Sequence, residues 1–281
     1  MQKTGFKHLA RRFLPKRIKP HRILGGPLRG RRLVTSWHDY PAGIGGYTEA
    51  GLLMWFNEHV AAGECWLDVG AHYGYTAIAL SGLVGERGSV WAFEPVPETA
   101  GHLVRTAEIN GLKQLHVIPV ALGDPESLAL DRFAAVRGMA EIGRPLPDVA
   151  TSILVARLDW LWPRVSPAPA PAPAPVPAGH AMPDDVPARG IEIGGVRIDG
   201  VKIDVQGMEL QVLRGMSEIL RTHRPALVVE FHAGVERADV LETLASAGYT
   251  AGGRPVETTE DEPRQGPRYA DNCSYAFFPD A

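Results

Sequence analysis

The sequence predicts an α/β protein with a mostly parallel sheet of about seven strands and helices on both faces. Short apolar runs, typical of strands buried on both faces, alternate with helical segments. The first such unit has two glycines in the turn between its strand and its helix, and acidic residues stand at the ends of several strands. Because open α/β sheets bind ligands at the carboxyl ends of their strands, these observations also predict a site at that edge.

The first predicted strand, Cys65–Val69, leads into a turn that contains Gly70 and Gly74. Glycine allows a tight turn and brings backbone N–H groups close to a ligand at the start of the following helix. The next strand ends at Glu94, where a carboxylate is placed to accept hydrogen bonds from both ribose hydroxyls of a nucleoside. Because the turn lacks the Gly-x-Gly-x-x-Gly order of dinucleotide sites, it favours a nucleoside without a pyrophosphate. An ordinary βαβ unit with a surface acid is the alternative.

Length and charge indicate one sizeable domain with a basic arm. The chain has 281 residues and a net charge of −3, but its first 32 residues carry eleven Lys or Arg and no acid. We therefore expect a basic N-terminal arm, residues 1–32, before an acidic body, residues 33–281. The arm either contacts an anionic membrane surface or another polyanion, or is solvated and only aids solubility. A strong nucleic-acid signal is absent from the sequence.

Localisation follows from what the sequence lacks and from its two cysteines. It has no apolar run of about 18 residues and no secretory signal, which predicts a cytoplasmic protein, or one peripheral to the membrane if the arm binds there. Cys65 and Cys273 both fall in predicted strands, where buried, reduced thiols are expected rather than a disulfide.

A Pro/Ala-rich insertion interrupts the body at residues 163–190. Alternating Pro and Ala cannot build a packed core, so the segment is predicted to be a polyproline II rod or a disordered spacer. It enters shortly before the predicted strand Val201–Val205, at the end of that strand opposite to Asp204. We therefore expect the spacer to point away from a site at the carboxyl edge.

Two later strands bring polar side chains to this edge. The strand Val201–Val205 carries Asp204, and the strand Pro225–Phe231 carries Glu230 and is followed by His232. Asp204 and His232 are candidate general bases, and the ordinary pKa of histidine suits that role better. The simpler alternatives are that Asp204 caps the next helix and that His232 bonds to backbone. A divalent metal held by the three side chains is a further alternative, which their spacing does not favour.

Asp124 follows the third predicted strand, Leu115–Ala121, in the turn Gly123-Asp124-Pro125. It either reaches the base edge of the bound nucleoside or serves only as a turn residue. Residues 126–150 lack clear periodicity, which predicts irregular structure or short strands over the sheet.

Eight motifs in order carry a resemblance to a known family. They are Gly46–Glu49, Leu67–Thr76, Phe93–Pro95, Ile109–Asn110, Ala121–Asp124, Arg157–Asp159, Val201–Glu209 and Pro225–Glu230. With these motifs, residues 47–278 without the insertion resemble the FkbM-type S-adenosylmethionine-dependent methyltransferases. The resemblance implies the Rossmann-like class I methyltransferase fold and S-adenosylmethionine as cofactor. The residues that it assigns to that cofactor are Asp68, Gly70, Ala71 and Gly74 on the methionine side, Glu94 at the ribose and Asp124 near the adenine.

The function implied by the resemblance is methyl transfer, and the acceptor that we expect is a hydroxyl of a sugar or another small molecule. Two residues depart from the family pattern. His72 stands where the family often has Asn, and Gln206 where it usually has Glu, which removes a charge on the acceptor side of the pocket. The alternatives are a nicotinamide-dependent oxidoreductase on a similar sheet, and a non-catalytic membrane or complex-assembly module with a vestigial pocket.

Overall fold

In a computed structural model, residues 13–141, 151–166, 196–256 and 269–281 are described. They contain a seven-stranded sheet in the order β12-β13-β11-β10-β3-β4-β5. Its strands are β3 (Cys65–Val69), β4 (Ser89–Phe93), β5 (Leu115–Ile118), β10 (Gly200–Ile203), β11 (Ala226–Phe231), β12 (Arg254–Pro255) and β13 (Cys273–Phe277). The pairs from β11 to β5 are parallel, and β13 runs antiparallel to both of its neighbours. The predicted mostly parallel sheet is confirmed.

Helices cover both faces of this sheet, as predicted. They are α1 (Pro41–Gly45), α2 (Ala50–His59), α3 (Tyr75–Val84), α4 (Pro97–Asn110), α5 (Leu158–Val165), α6 (Glu209–Gly215), α7 (Ser217–Thr222) and α8 (Arg237–Ser246). Successive strand residues enter two different cores because side chains alternate across a strand. Leu67 and Val69 pack in the core with α5 to α8, whereas Trp66 packs in the core with α2 to α4. The central strands are therefore buried on both faces.

A second, smaller sheet lies in the order β6-β9-β7-β8. Its strands are β6 (Ala121–Leu122), β7 (Ala129–Val136), β8 (Met139–Glu141) and β9 (Thr151–Ala156). This corrects the predicted third strand, because β5 ends at Ile118 and residues 121–122 pair with β9 instead of β4. Pro119 has no N–H with which to continue the ladder. Strands do form in the weakly periodic region, and residues 142–150 lie outside the described chain.

The described part of the predicted basic arm packs on the body. Residues Lys19–Arg22 (β1) and Arg32–Thr35 (β2) form an antiparallel hairpin. Ile23 from the hairpin joins the core with α2 to α4, and the N–H of Val34 donates to Oγ1 of Thr106 at 3.0 Å. The predicted boundary at residue 32 therefore falls inside the second strand of the hairpin.

The two flanks of the insertion both contact one residue, Trp162. Ser166 donates its hydroxyl to the carbonyl of Trp162 at 2.8 Å, and Nε1 of Trp162 donates to the carbonyl of Val196 at 3.0 Å. Helix α5 runs through Pro163, so the irregular stretch begins later than residue 163. The Pro/Ala run and most of the hairpin predicted around Gly194-Gly195 lie outside the described residues.

Within the described ranges, no helix combines the length and the apolar character needed to cross a bilayer.

Candidate active site

A cavity of about 300 Å³ opens at the carboxyl ends of β3, β4, β10 and β11. One end is formed by the turn after β3 and by Glu94, and the other by Asp204 and Glu230. Further lining residues come from the segments before α1 and α2, from β8 and the turn before it, and from β10 and the loop after it: Tyr40, Glu49, Arg137, Met139, Lys202 and Gln206. The sequence predicts the turn with Glu94 and the pair of Asp204 and Glu230 separately, and both line one cavity.

The turn after β3 is held by close backbone packing. Gly70 has a φ of +82°, and a Cβ at this position would lie 1.8 Å from the carbonyl oxygen of Asp204, so only glycine fits. The N–H groups of Gly70 and Ala71 donate to the carbonyl of Phe93 at 3.0 and 3.1 Å. These donors therefore hold the turn on β4 instead of pointing into the cavity, which Gly70 and Ala71 line.

Gly74 has a structural role in this geometry. Its φ is +90°, and a Cβ here would lie 2.1 Å from Cδ1 of Leu103 on α4. Gly74 does not appear on the cavity wall and instead lets the start of α3 pack against α4.

Glu94 lies on the cavity wall, as the sequence predicts for a ribose ligand. Its Oε2 accepts the N–H of His72 at 2.8 Å, and its Oε1 accepts the N–H of Val96 at 3.0 Å. Burial raises the pKa of Glu94 to about 7, although these two backbone donors oppose the shift. The backbone thus fixes the carboxylate, and each oxygen keeps a second lone pair for a ligand.

Asp68 is fully buried and does not line the cavity. Its Oδ2 accepts the hydroxyl of Thr76 at 2.7 Å, and its Oδ1 lies 3.2 Å from Nζ of Lys202. Lys202 also lies 3.4 Å from Oδ2 of Asp204 and donates to the carbonyl of Gly70 at 3.2 Å. Burial favours the neutral amine, but Asp68 and then Asp204 outweigh it and raise the pKa of Lys202. Asp68 therefore supports the site through Lys202.

Sequence reasoning missed the role of Lys202, although a signal was present. A lysine in the middle of an apolar run that forms a central strand is buried at a cost unless carboxylates pair with it. Lys202 is such a residue, and its two partners are Asp68 on the neighbouring strand β3 and Asp204 directly after its own strand.

The predicted catalytic residues do come together. Nε2 of His232 lies 3.6 Å from Oδ1 of Asp204 and 3.5 Å from Oε1 of Glu230. Nδ1 of His232 contacts Oε1 of Glu209 at 2.7 Å, and Glu209 is a buried acid that sequence reasoning did not single out. Asp204 and Glu230 line the cavity, whereas His232 lies behind them.

Charge is concentrated at this end. Burial and then Asp204 raise the pKa of Glu230 to about 8, and His232 opposes the shift. Burial alone would lower the pKa of His232, but the hydrogen bond to Glu209 and the carboxylates Asp204 and Glu230 outweigh it and raise this pKa. The cluster therefore holds a proton more readily than its separate side chains would.

Two other predicted positions have local roles. Asp124 forms an ion pair with Arg157 and does not line the cavity, and its contact with an adenine stays a prediction. His72, one of the two departures from the family pattern, has a φ of +49° and lies on the cavity wall. Burial lowers the pKa of His72 to about 4, and its Nε2 bonds to the carbonyl of Arg137 at 3.0 Å.

The sheet order, the antiparallel β13 and the site at the carboxyl ends of β3 and β4 define a class I methyltransferase fold. The family model described as "Methyltransferase FkbM domain" matches residues 180–251, which confirms the resemblance predicted from the sequence. This segment includes β10, β11 and the cluster of Asp204, Glu230 and His232. No curated protein matches the sequence.

Solved structures also resemble the chain. One is the methyltransferase FkbM of Methylobacillus flagellatus, with 16% identity, a TM-score of 0.46 and coverage of 80% of this chain and 50% of that one. Another is Aeropyrum pernix fibrillarin with natively bound S-adenosyl-L-methionine, with 15% identity, a TM-score of 0.45 and coverage of 93% and 88%. A Thermotoga maritima SAM-dependent O-methyltransferase has 12% identity, a TM-score of 0.44 and coverage of 84% and 66%. The chain thus spans half the length of the Methylobacillus protein.

Proposed function

We propose that this protein transfers a methyl group from S-adenosylmethionine to a hydroxyl of a sugar or another small molecule. The observation that carries the proposal is a single cavity that joins Gly70 and Glu94 at one end to Asp204 and Glu230 at the other. The match of residues 180–251 to the FkbM methyltransferase domain supports the reaction class.

The residues at the first end fit the adenosyl cofactor. A fixed carboxylate at Glu94 suits the two ribose hydroxyls, and the missing side chain at Gly70 leaves room beside Ala71 for the amino acid part. The cavity volume is within the range of small-ligand sites. When bound there, S-adenosylmethionine supplies an electrophilic methyl group on a sulfonium centre.

The residues at the second end suit a hydroxyl acceptor. A hydroxyl must lose its proton as its oxygen gains the methyl group, and the other product is a neutral thioether, so the overall reaction releases one proton. Asp204 and Glu230 reach the cavity and can bind this hydroxyl, while His232 behind them helps to hold the proton. Gly70 contacts the backbone of Asp204, which sets the distance between the two ends.

The proposal is tested by incubating the full chain with methyl-labelled S-adenosylmethionine and a panel of glycans and hydroxylated metabolites. We expect an acceptor to gain one labelled methyl group by mass spectrometry, at an oxygen identified by fragmentation. Calorimetry with S-adenosylmethionine and with a nicotinamide dinucleotide is the control for the cofactor. Binding of the dinucleotide alone would overturn the proposal.

A further inference from the structure

The ends of β10 and β11 bring an imidazole and two carboxylates to one point. One ligand atom from each of Asp204, Glu230 and His232 lies within 4.8 Å of the others. The separations of 3.5 and 3.6 Å from Nε2 of His232 to the two carboxylate oxygens are close to those between neighbouring ligands of one cation, since metal–ligand bonds to oxygen are about 2.0–2.6 Å long.

The orientation of His232 leaves one ring nitrogen for this point. The Glu209 carboxylate also accepts the N–H of Gly207 at 3.1 Å, so two donors hold the buried acid in place. The amide nitrogen of Gln206 lies 2.8 Å from Nε2 of His232, which assigns the tautomer in which Nε2 accepts and Nδ1 donates to Glu209. Nε2 is then the nitrogen that faces Asp204 and Glu230. A buried carboxylate behind a histidine in this way is the usual support of a metal-bound imidazole.

The negative charge at this point is not matched by the surrounding donors. Within the described chain, the Glu230 carboxylate accepts no hydrogen bond, and its ion-pair contact is His232. Lys202 is engaged by Asp68, Asp204 and the carbonyl of Gly70. Two neighbouring carboxylates with too few hydrogen-bond donors between them favour the binding of a cation.

Gln206 offers a fourth ligand. Its side-chain nitrogen lies 2.8 Å from Nε2 of His232 and 3.4 Å from Oδ1 of Asp204, so its amide group stands beside the same point. A half-turn of the amide exchanges its N–H₂ for an oxygen, which is a good ligand for hard cations. The left-handed φ of +56° at Gln206 turns the chain back towards the cluster.

We propose that Asp204, Glu230, His232 and Gln206 bind one divalent cation of the magnesium or manganese class. The inference rests on the proposed function and deepens it. Asp204, Glu230 and Gln206 line the cavity, so open coordination positions face the acceptor. A bound cation would position a hydroxyl oxygen and make it more acidic, and because Asp204, Glu230 and Nε2 of His232 would then be ligands, the proton would leave to solvent and not to His232. The cation and not a single side chain then sets the acidity of the acceptor.

Direct binding of Mn²⁺ to the full chain, without cofactor or acceptor, tests the site. We expect one Mn²⁺ per chain by calorimetry and, by pulsed electron paramagnetic resonance, a coupling to one imidazole nitrogen. Glu230→Gln should weaken binding at least about tenfold, and Glu209→Gln, which disturbs only the support of His232, about 10–100-fold. His232→Gln should remove the nitrogen coupling. The matched control is Glu236→Gln, which removes the same charge from an exposed residue nearby and should leave binding unchanged.

Circular dichroism and thermal melting of each variant show that it is folded before its Mn²⁺ affinity is compared. Absence of Mn²⁺ binding, or equal affinity in Glu230→Gln and Glu236→Gln, overturns the inference. Methyl transfer that continues unchanged in excess chelator also overturns it and leaves the proposed function standing. Mn²⁺ binding with the expected nitrogen coupling, in a protein that transfers no methyl group, would support the cation site and overturn the proposed function.

Discussion

The two ends of the cavity are built in different ways. At the proposed cofactor end, backbone N–H groups hold both oxygens of Glu94, one from Val96 and one from His72 in the turn after β3, and Gly70 packs directly on the backbone of Asp204. At the acceptor end, side chains hold one another: Asp204, Glu230 and His232 converge from the ends of two strands, and Glu209 comes from a helix. Backbone contacts thus fix the first end, whereas the second depends on charge balance among side chains.

The largest effect that this comparison predicts is a separation of turnover from cofactor binding. Asp204→Asn removes a charge at the acceptor end but keeps the backbone contact with Gly70. We expect the turnover rate to fall by about 10²–10⁴-fold, because help with the acceptor proton is lost. Cofactor affinity by calorimetry should change by less than about threefold, since the substitution leaves Glu94 and its backbone donors in place. Turnover within about threefold of the unmodified protein would show that Asp204 does not act on the acceptor.

The opposite effect is expected at Glu94. Glu94→Gln keeps the shape of the side chain and an acceptor for one of its two backbone donors, so the protein should remain folded. Loss of the charge weakens the bonds to ribose, and we expect cofactor affinity to fall about tenfold or more, in line with about 1.5–3 kcal/mol for a hydrogen bond to a charged group. Calorimetry on a variant with an unchanged melting profile measures this. Unchanged affinity would place the ribose elsewhere.

The pH dependence of cofactor affinity is a second test of the proposed contact between Glu94 and the ribose. The pKa of Glu94 is raised to about 7, so the carboxylate that we propose as the acceptor of the ribose hydroxyls forms as pH rises through that value. Affinity should therefore increase by roughly tenfold between pH 6 and pH 8. In Glu94→Gln the affinity should be nearly flat over this range. An equal slope in both proteins would assign the titration to another group.

The smallest effect is expected for a deletion within the Pro/Ala-rich insertion. Deleting Pro167–Pro177 shortens a connection whose flanks at Ser166 and Val196 already meet on Trp162. Loop entropy changes slowly with length, so we expect the melting temperature and the cofactor affinity to stay nearly unchanged. Scanning calorimetry and cofactor titration check both quantities. A folded deletion variant that no longer binds cofactor would show that the segment covers the cavity.

The difference between the two ends also explains what the sequence can predict. The turn at Gly70, the acid at Glu94 and the central strands follow from local patterns of glycine, charge and apolar runs, and each lies where those patterns place it. The convergence of Asp204, Glu230 and His232 follows from strand ends that share one edge. These inferences need only the direction of each strand and the spacing of apolar side chains along each helix and strand.

Other features depend on packing between distant segments. Glu209 looks like an ordinary acid in the first turn of a helix, and only the fold places it behind His232. Asp68 and Gly74 belong to the predicted motif, but they do not line the cavity. Asp68 forms an ion pair with the buried Lys202, and Gly74 packs against Leu103 on another helix. For residues 126–150 the sequence left irregular structure and short strands open, because weak alternation in these strands carries little signal without their partners in the small sheet.

The hairpin of β7 and β8 has a kinetic consequence. Its turn crosses the cofactor end of the cavity, where His72 bonds to the carbonyl of Arg137 and the hydroxyl of Thr99 donates to the carbonyl of Gly138 at 2.8 Å. Arg137 and Met139 form part of the wall, so a nucleoside that enters or leaves beneath them must part these two bonds. We therefore expect the order of events in a catalytic cycle to be fixed, with the adenosyl ligand first in and last out. Release of the spent nucleoside is then expected to slow repeated turnovers, whereas in a variant such as Asp204→Asn the bond-making step becomes the slower one.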